Sequence, residues 1–148
     1  MKPSLGKAML GGLTGTVLIT MMMYIAAPMM LGQEMDTAAM LGTMLGGSWT
    51  LGMIMHLVNG IVVFPLIYVY AAGKLLPGAP WQKGAGWGAI LWLISQAMVM
   101  PMMGAGFFSS HTGGMMAAVA SLMGHLIYGA ALGGIAGEAF EGLHRSAA

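Results

Sequence analysis

The sequence contains no cysteine, which removes disulfides, thiolate nucleophiles, zinc ribbons and iron–sulfur ligands from consideration and leaves the redox compartment unread. Charge is almost as scarce. Charged side chains make up 6% of the 148 residues, against about 25% in soluble domains, and five basic and four acidic groups cannot cover a core with polar surface. A net charge of +1 is too small to imply a nucleic-acid partner, and there is no basic stripe, so none is expected. Enzyme signatures are missing too: Gly11-Gly12-Leu13-Thr14-Gly15 lacks the Gly-Lys-Ser/Thr ending of a phosphate loop, and there is neither a Ser-His-Asp order nor an HExxH. What remains is 58% hydrophobic, with 19 methionines, 25 glycines and a mean hydropathy of +0.84, the composition of a chain that lives in a bilayer.

A spanning helix needs about 20 apolar residues. Four segments qualify, running roughly from Ala8 to Met30, Trp49 to Ala72, Gly84 to Met103 and Met115 to Gly137. The expected fold is an all-α, polytopic four-helix bundle, one transmembrane domain over 1–148. The first segment follows Lys2 and Lys7 as a signal peptide would, but its apolar run is too long and Ala26-Ala27-Pro28 is a poor cleavage site, so it reads as a retained span. All five positive charges, Lys2, Lys7, Lys74, Lys83 and Arg145, fall on one side of this arrangement. The positive-inside rule therefore puts both termini and the Lys74–Lys83 loop in the cytoplasm. Glu34, Asp36 and His111 then lie outside.

Within the loop from Leu31 to Ser48, Asp36 can cap a short helix through Met44, with Met40, Leu41 and Met44 on one side, resting on the bilayer or plugging the bundle mouth. Pro77, Gly78 and Pro80 make the Lys74–Lys83 loop a compact turn. Trp49, Trp81 and Trp87 stand where interfacial anchors belong, and the tail carrying Glu138, Glu141, His144 and Arg145 is expected to continue the last helix into water.

Two stripes of small residues carry the functional clue. Ser121, His125, Gly129, Gly133 and Gly137 recur every fourth residue, as do Gly52, His56 and Gly60. At about 100° per residue such a row drifts slowly around a helix, and small residues along it admit a second helix closely. Each histidine thus sits on a helix-facing seam, the usual place for an ionisable group in a membrane. The halves also resemble each other. Pro28-Met29-Met30 answers Pro101-Met102-Met103, and Met55-His56-Leu57 answers Gly124-His125-Leu126, which gives two tandem hairpins, about 5–74 and about 82–142. Copies of even span number keep one orientation, so a parallel repeat would bring both histidines to one depth, on the order of 12 to 16 Å below the outer end of their spans.

Gly47-Ser48-Trp49, His56, Asn59-Gly60, Phe64-Pro65-Leu66, Trp87-Gly88, Gln96, the run from Pro101 to Phe108, and Gly124-His125-Leu126-Ile127-Tyr128-Gly129 resemble a family of uncharacterised bacterial four-span membrane proteins, a domain of unknown function. The resemblance covers nearly the whole chain. It implies a bacterial inner-membrane location and brings no established activity, cofactor or substrate.

Around the histidines, Asn59 follows His56 by three residues and Tyr128 follows His125 by three, close enough on a helix surface to share a polar cluster. The plainest role is an interhelical hydrogen-bond network in a non-enzymatic protein. Alternatively, the two imidazoles could ligate a haem b, with Gly52, Gly60 and Gly129 leaving room for the macrocycle and Asn59 and Tyr128 behind the ligands. Methionine clusters at 21–23, 29–30, 100–103 and 115–116, with Met35 and His111, offer soft ligands for copper, although methionine is also an apolar filler. Thr14, Thr16, Thr20, Ser95 and Gln96 could line a solute or proton path with the histidines. The pairs Gly11/Gly15, Gly84/Gly88 and Gly129/Gly133 serve either internal packing or association with a second copy or another membrane protein.

Overall fold

The computed structural model describes residues 4–145, and the side chains of residues 4–137. Lys2 lies outside the described residues, as do the side chains of Glu138, Glu141, His144 and Arg145. Four long apolar helices are present: α1 (Leu5–Leu31), α3 (Trp49–Leu75), α4 (Pro80–Met102) and α5 (Gly114–Arg145, apolar through Gly137). Each is long and apolar enough to cross a membrane, and the boundaries of these apolar spans agree with the hydropathy reading to within four residues. A short helix, α2 (Thr37–Thr43), lies between α1 and α3, and a single 3₁₀ turn, Phe107–Ser109, lies between α4 and α5. Among the described residues there is no strand.

Local chemistry sets the ends. Ser4, Asp36 and Ser48 each accept a hydrogen bond from the backbone N–H three residues on, which starts α1, α2 and α3. Pro80 opens α4, where Gln82 Oε1 accepts from the Ala79 N–H at 2.8 Å. Gly32, at φ 72°, closes α1 in the left-handed conformation that glycine adopts without strain.

Inside the spans, Pro28, Pro65 and Pro101 each follow a π turn by two residues: Met22–Ala26, Asn59–Val63 and Ser95–Val99. A proline ring collides with the carbonyl of the preceding turn and offers no N–H, and a π turn relieves both by slipping the register by one residue. In α3 the Phe64 N–H consequently reaches back to the Asn59 carbonyl, and the donor next in line for Gly60 belongs to Pro65, which has none. The carbonyl five residues before each proline is thereby left without a donor from its own helix. For Met23 the Met35 N–H supplies one at 3.3 Å, and for Gly60 the Tyr128 hydroxyl does at 2.8 Å. α1 and α4 carry this device at matching places, whereas α3 has a further π turn at Tyr68–Ala72 and α5 runs unbroken.

α5 is the central helix. Gly11 and Gly15 of α1 press on Leu132 and Tyr128 from one side, and Gly84 and Gly88 of α4 press on Gly129, Gly133 and His125 from the other. α3 sits beyond α1, held where Gly12 meets Gly60 and Pro65, and only 17% of its most apolar window is buried against 33% in α1 and α5. Its outward residues Leu51, Ile54, Leu57 and Val58 are exposed, as acyl-facing side chains are. The core gathers Ala8, Tyr68, Val69, Trp87, Leu91, Tyr128 and Leu132. Trp87 is therefore a core residue, 6% exposed, and not the interfacial anchor its position suggested; Trp49 and Trp81 are exposed.

The short helix departs from expectation in the face it buries. It packs on the first turns of α3, burying Ala38, Leu41 and Gly42 in place of Met40 and Met44, because the absence of a side chain at Gly52 brings the two backbones together. Asp36 latches it: one carboxylate oxygen accepts from Tyr24 Oη at 2.6 Å and from the Ala39 N–H at 2.9 Å, and both oxygens accept from Trp49 Nε1 at 3.2 Å. Burial pushes the Asp36 carboxyl up, but these donors outweigh it and hold the group below its ordinary value. A carboxyl whose folded pKa is depressed contributes stability that is complete above the unfolded value of about 3.9 and lost as the pH falls through the folded one. Acidification below about pH 4 is therefore expected to free α2 first, seen as faster hydrogen exchange at residues 37–43. In Asp36→Asn, which keeps an acceptor but cannot titrate, that acid step should be absent; an unchanged step would assign it to another group.

Candidate functional site

Both histidines border the same stretch of α1. His56 Nε2 lies 3.0 Å from Thr20 Oγ1, while His125 lines a groove with Ile19, Met22 and Met23, and the neighbouring Gly124 abuts Ile19. Both rings are half-buried.

Hydrogen-bond roles fix their tautomers. The Thr20 hydroxyl has one hydrogen and gives it to the Thr16 carbonyl at 2.7 Å, so His56 Nε2–H must be the donor to Thr20. His125 Nδ1 lies 2.8 Å from the Ser121 carbonyl, which can only accept, so the proton is on Nδ1. His125 Nε2 is left as a bare lone pair with no hydrogen-bond partner among the described residues.

Behind His125 runs a chain of polar side chains. Ser109 Oγ donates to Gln96 Oε1 at 2.9 Å, Gln96 Nε2 donates to Ser121 Oγ at 3.4 Å, and Ser121 Oγ lies 3.4 Å from His125 Nδ1. Gln96 and Ser109 are buried, so each of these groups would be costly to leave unpaired. The start of the chain is strained: Phe108 and Ser109 hold φ of 49° and 56°, a left-handed conformation that side chains with a Cβ seldom adopt. Two contacts compensate for it. Phe108 packs edge-on against Trp92 at 5.8 Å, and Ser109 turns its hydroxyl inward to Gln96. Ser109 is the site residue that sequence reasoning missed. Its signal is a backbone angle, which no residue type announces.

The other expected members go elsewhere. The Tyr128 hydroxyl reaches Gly60 and not His125, because the carbonyl released by Pro65 is the nearer need. The Asn59 side chain makes no hydrogen bond among the described residues. His111 bonds the Gly104 carbonyl at 3.2 Å and is not among the residues lining the His125 groove, whereas Met35 is. Beside the glycines there is no space for a haem: Gly52 is covered by Ala38, Gly60 by Thr16 and Gly129 by Gly84. The groove beside His125 measures about 100 Å³, below the 300 Å³ or so of even small cofactor sites, so these residues do not fit a macrocycle. Among the described residues no three His, Cys, Asp or Glu side chains converge as metal ligands.

Four helices long and apolar enough to cross a membrane, with a short helix latched between the first two, define a small multi-pass membrane protein. The chain belongs to a family of unknown function, DUF6789, whose model matches residues 3–142. No curated protein and no solved structure matches it.

Proposed function

We propose that this is a non-enzymatic protein of the bacterial inner membrane that holds a small ligand at an intramembrane polar site built around His56 and His125, with His125 the receiving group. The observation that carries this reading is the Ser109–Gln96–Ser121 chain, anchored in strained backbone and ending on a ring whose Nε2 has no hydrogen-bond partner among the described residues. Strain of this kind costs on the order of 1 to 3 kcal/mol per residue and persists where the surroundings enforce it, which is common at binding sites. His56 ties α3 to α1 through Thr20. A proton path is less well supported, because the Gln96 carboxamide accepts at its oxygen and donates from its nitrogen and so passes no proton along the chain.

Charge placement supports cytoplasmic termini, which puts α2, the 3₁₀ turn and the mouth of the His125 groove on the outer side. A protein without cysteine allows a direct test by single substitutions. In sealed vesicles, His125→Cys is expected to react with a small membrane-impermeant thiosulfonate added from the outer side, Lys83→Cys only from the cytoplasmic side, and the fully buried Leu132→Cys from neither. A folded His125→Cys that stays unlabelled from outside would remove the site.

A further inference from the structure

The groove that His125 lines is also lined by five methionines, Met22, Met23, Met30, Met35 and Met123. They come from α1, from the segment before α2 and from α5, so the fold and not a local run of sequence assembles them. The π turn at Met22–Ala26 is what brings two of them together. It releases the Met23 carbonyl, which takes the Met35 N–H at 3.3 Å and folds the loop back over the groove.

We propose that this groove is a binding site for monovalent copper, with His125 Nε2 and methionine thioethers as ligands; the proposal rests on His125 being the receiving group of the site. The donor set selects the ion. Thioether sulfur and neutral imidazole are soft ligands suited to Cu(I), while magnesium and calcium take six or more oxygen donors, carboxylates among them, and the lining side chains offer only the Thr37 and Ser121 hydroxyls. None of the lining side chains carries a formal negative charge, so a divalent ion would keep both its charges in an apolar setting and a monovalent one only one. The hydrogen bonding of the ring is that of a metal-ligating histidine: Nδ1–H donates to a backbone carbonyl, which fixes the tautomer and leaves the lone pair on Nε2. Ser121 and Gln96 are then positioning residues acting through His125. Methionines outside the groove, such as Met98 on the exposed face of α4, are composition and not ligands.

The test is a competition titration of the full-length protein in nanodiscs, anaerobic and reducing, against the Cu(I) chelator bicinchoninate. The protein is expected to withdraw one Cu(I) per chain. His125→Ala should weaken uptake by about tenfold or more, Met23→Leu and Met123→Leu should each weaken it, and Met98→Leu should leave it unchanged. X-ray absorption of the wild-type complex needs no variant and should show a mixed nitrogen and sulfur shell. Uptake unaltered by His125→Ala, or a shell without sulfur, would falsify the copper site. If His125→Cys is labelled from outside and no Cu(I) is withdrawn, the copper site falls and the open groove stands; if that cysteine is inert, both fall together.

Discussion

Gly84→Ala is expected to destabilise the protein by about 2 to 3 kcal/mol, although alanine is the better helix former by about 1 kcal/mol. The reason lies in what the new methyl group would meet. A Cβ at Gly84 runs into the Gly129 carbonyl and the backbone of Gly133, and one at Gly88 runs into the His125 carbonyl. These are backbone atoms of the facing helix and cannot rotate away. α4 would have to withdraw from α5, and within lipid no hydrophobic gain between helices offsets the lost contact. Gly86 and Gly134 are the internal controls. A Cβ at Gly86 would come no nearer than 3.6 Å to Leu76, and one at Gly134 no nearer than 3.9 Å to Trp81. Both alanine variants should therefore be neutral or stabilising by up to about 1 kcal/mol. Unfolding by denaturing detergent in mixed micelles measures all four. Equal effects at Gly84 and Gly86 would mean that the seam is not closed as described. Gly88→Ala should in addition disturb the His125 site, since the collision falls on that residue's own carbonyl.

The spans were legible because hydropathy is a sum over twenty residues and tolerates local error. Caps were legible for the opposite reason: Asp36 and Ser48 act on a backbone N–H three residues away, within reach of sequence alone. Trp87 was not. It lies six residues from Trp81, which rotates it by about 240° around α4, so one ring faces lipid and the other the core. Nothing in the residue type says which is which. The histidine stripes were recognised as helix-facing, but a stripe does not name its partner: that of α3 meets α1 and α2, and that of α5 meets α4. Three intraspan prolines, each taken with the register slip it forces, would have marked Met23, Gly60 and Gln96 as residues whose carbonyls need a donor from elsewhere. Ser109 remained out of reach, because a side chain with a Cβ at positive φ contradicts local preference and is held there only by tertiary contacts.

Tyr128→Phe tests that logic, with an expected loss of about 1 to 3 kcal/mol, the usual cost of leaving a buried polar group unpaired. The hydroxyl is buried and its 2.8 Å bond to the Gly60 carbonyl spans α5 to α3, while the ring itself packs edge-on to Phe64 at 6.3 Å and would keep that contact as phenylalanine. Loss of packing and loss of the hydrogen bond are thereby separated. No water is at hand in a bilayer to replace the donor. Pro65→Ala supplies the second arm, since it restores an N–H at the position from which a π turn would serve Gly60. Pro65→Ala has a cost of its own, because the proline ring fills the space beside Gly12. The informative quantity is therefore the coupling: in the Pro65→Ala background, Tyr128→Phe should cost less than it does in the native chain. Additive effects would show that the tyrosine hydroxyl is not standing in for the missing proline donor, and the link between the intraspan prolines and the tertiary hydrogen bonds would then have to be abandoned.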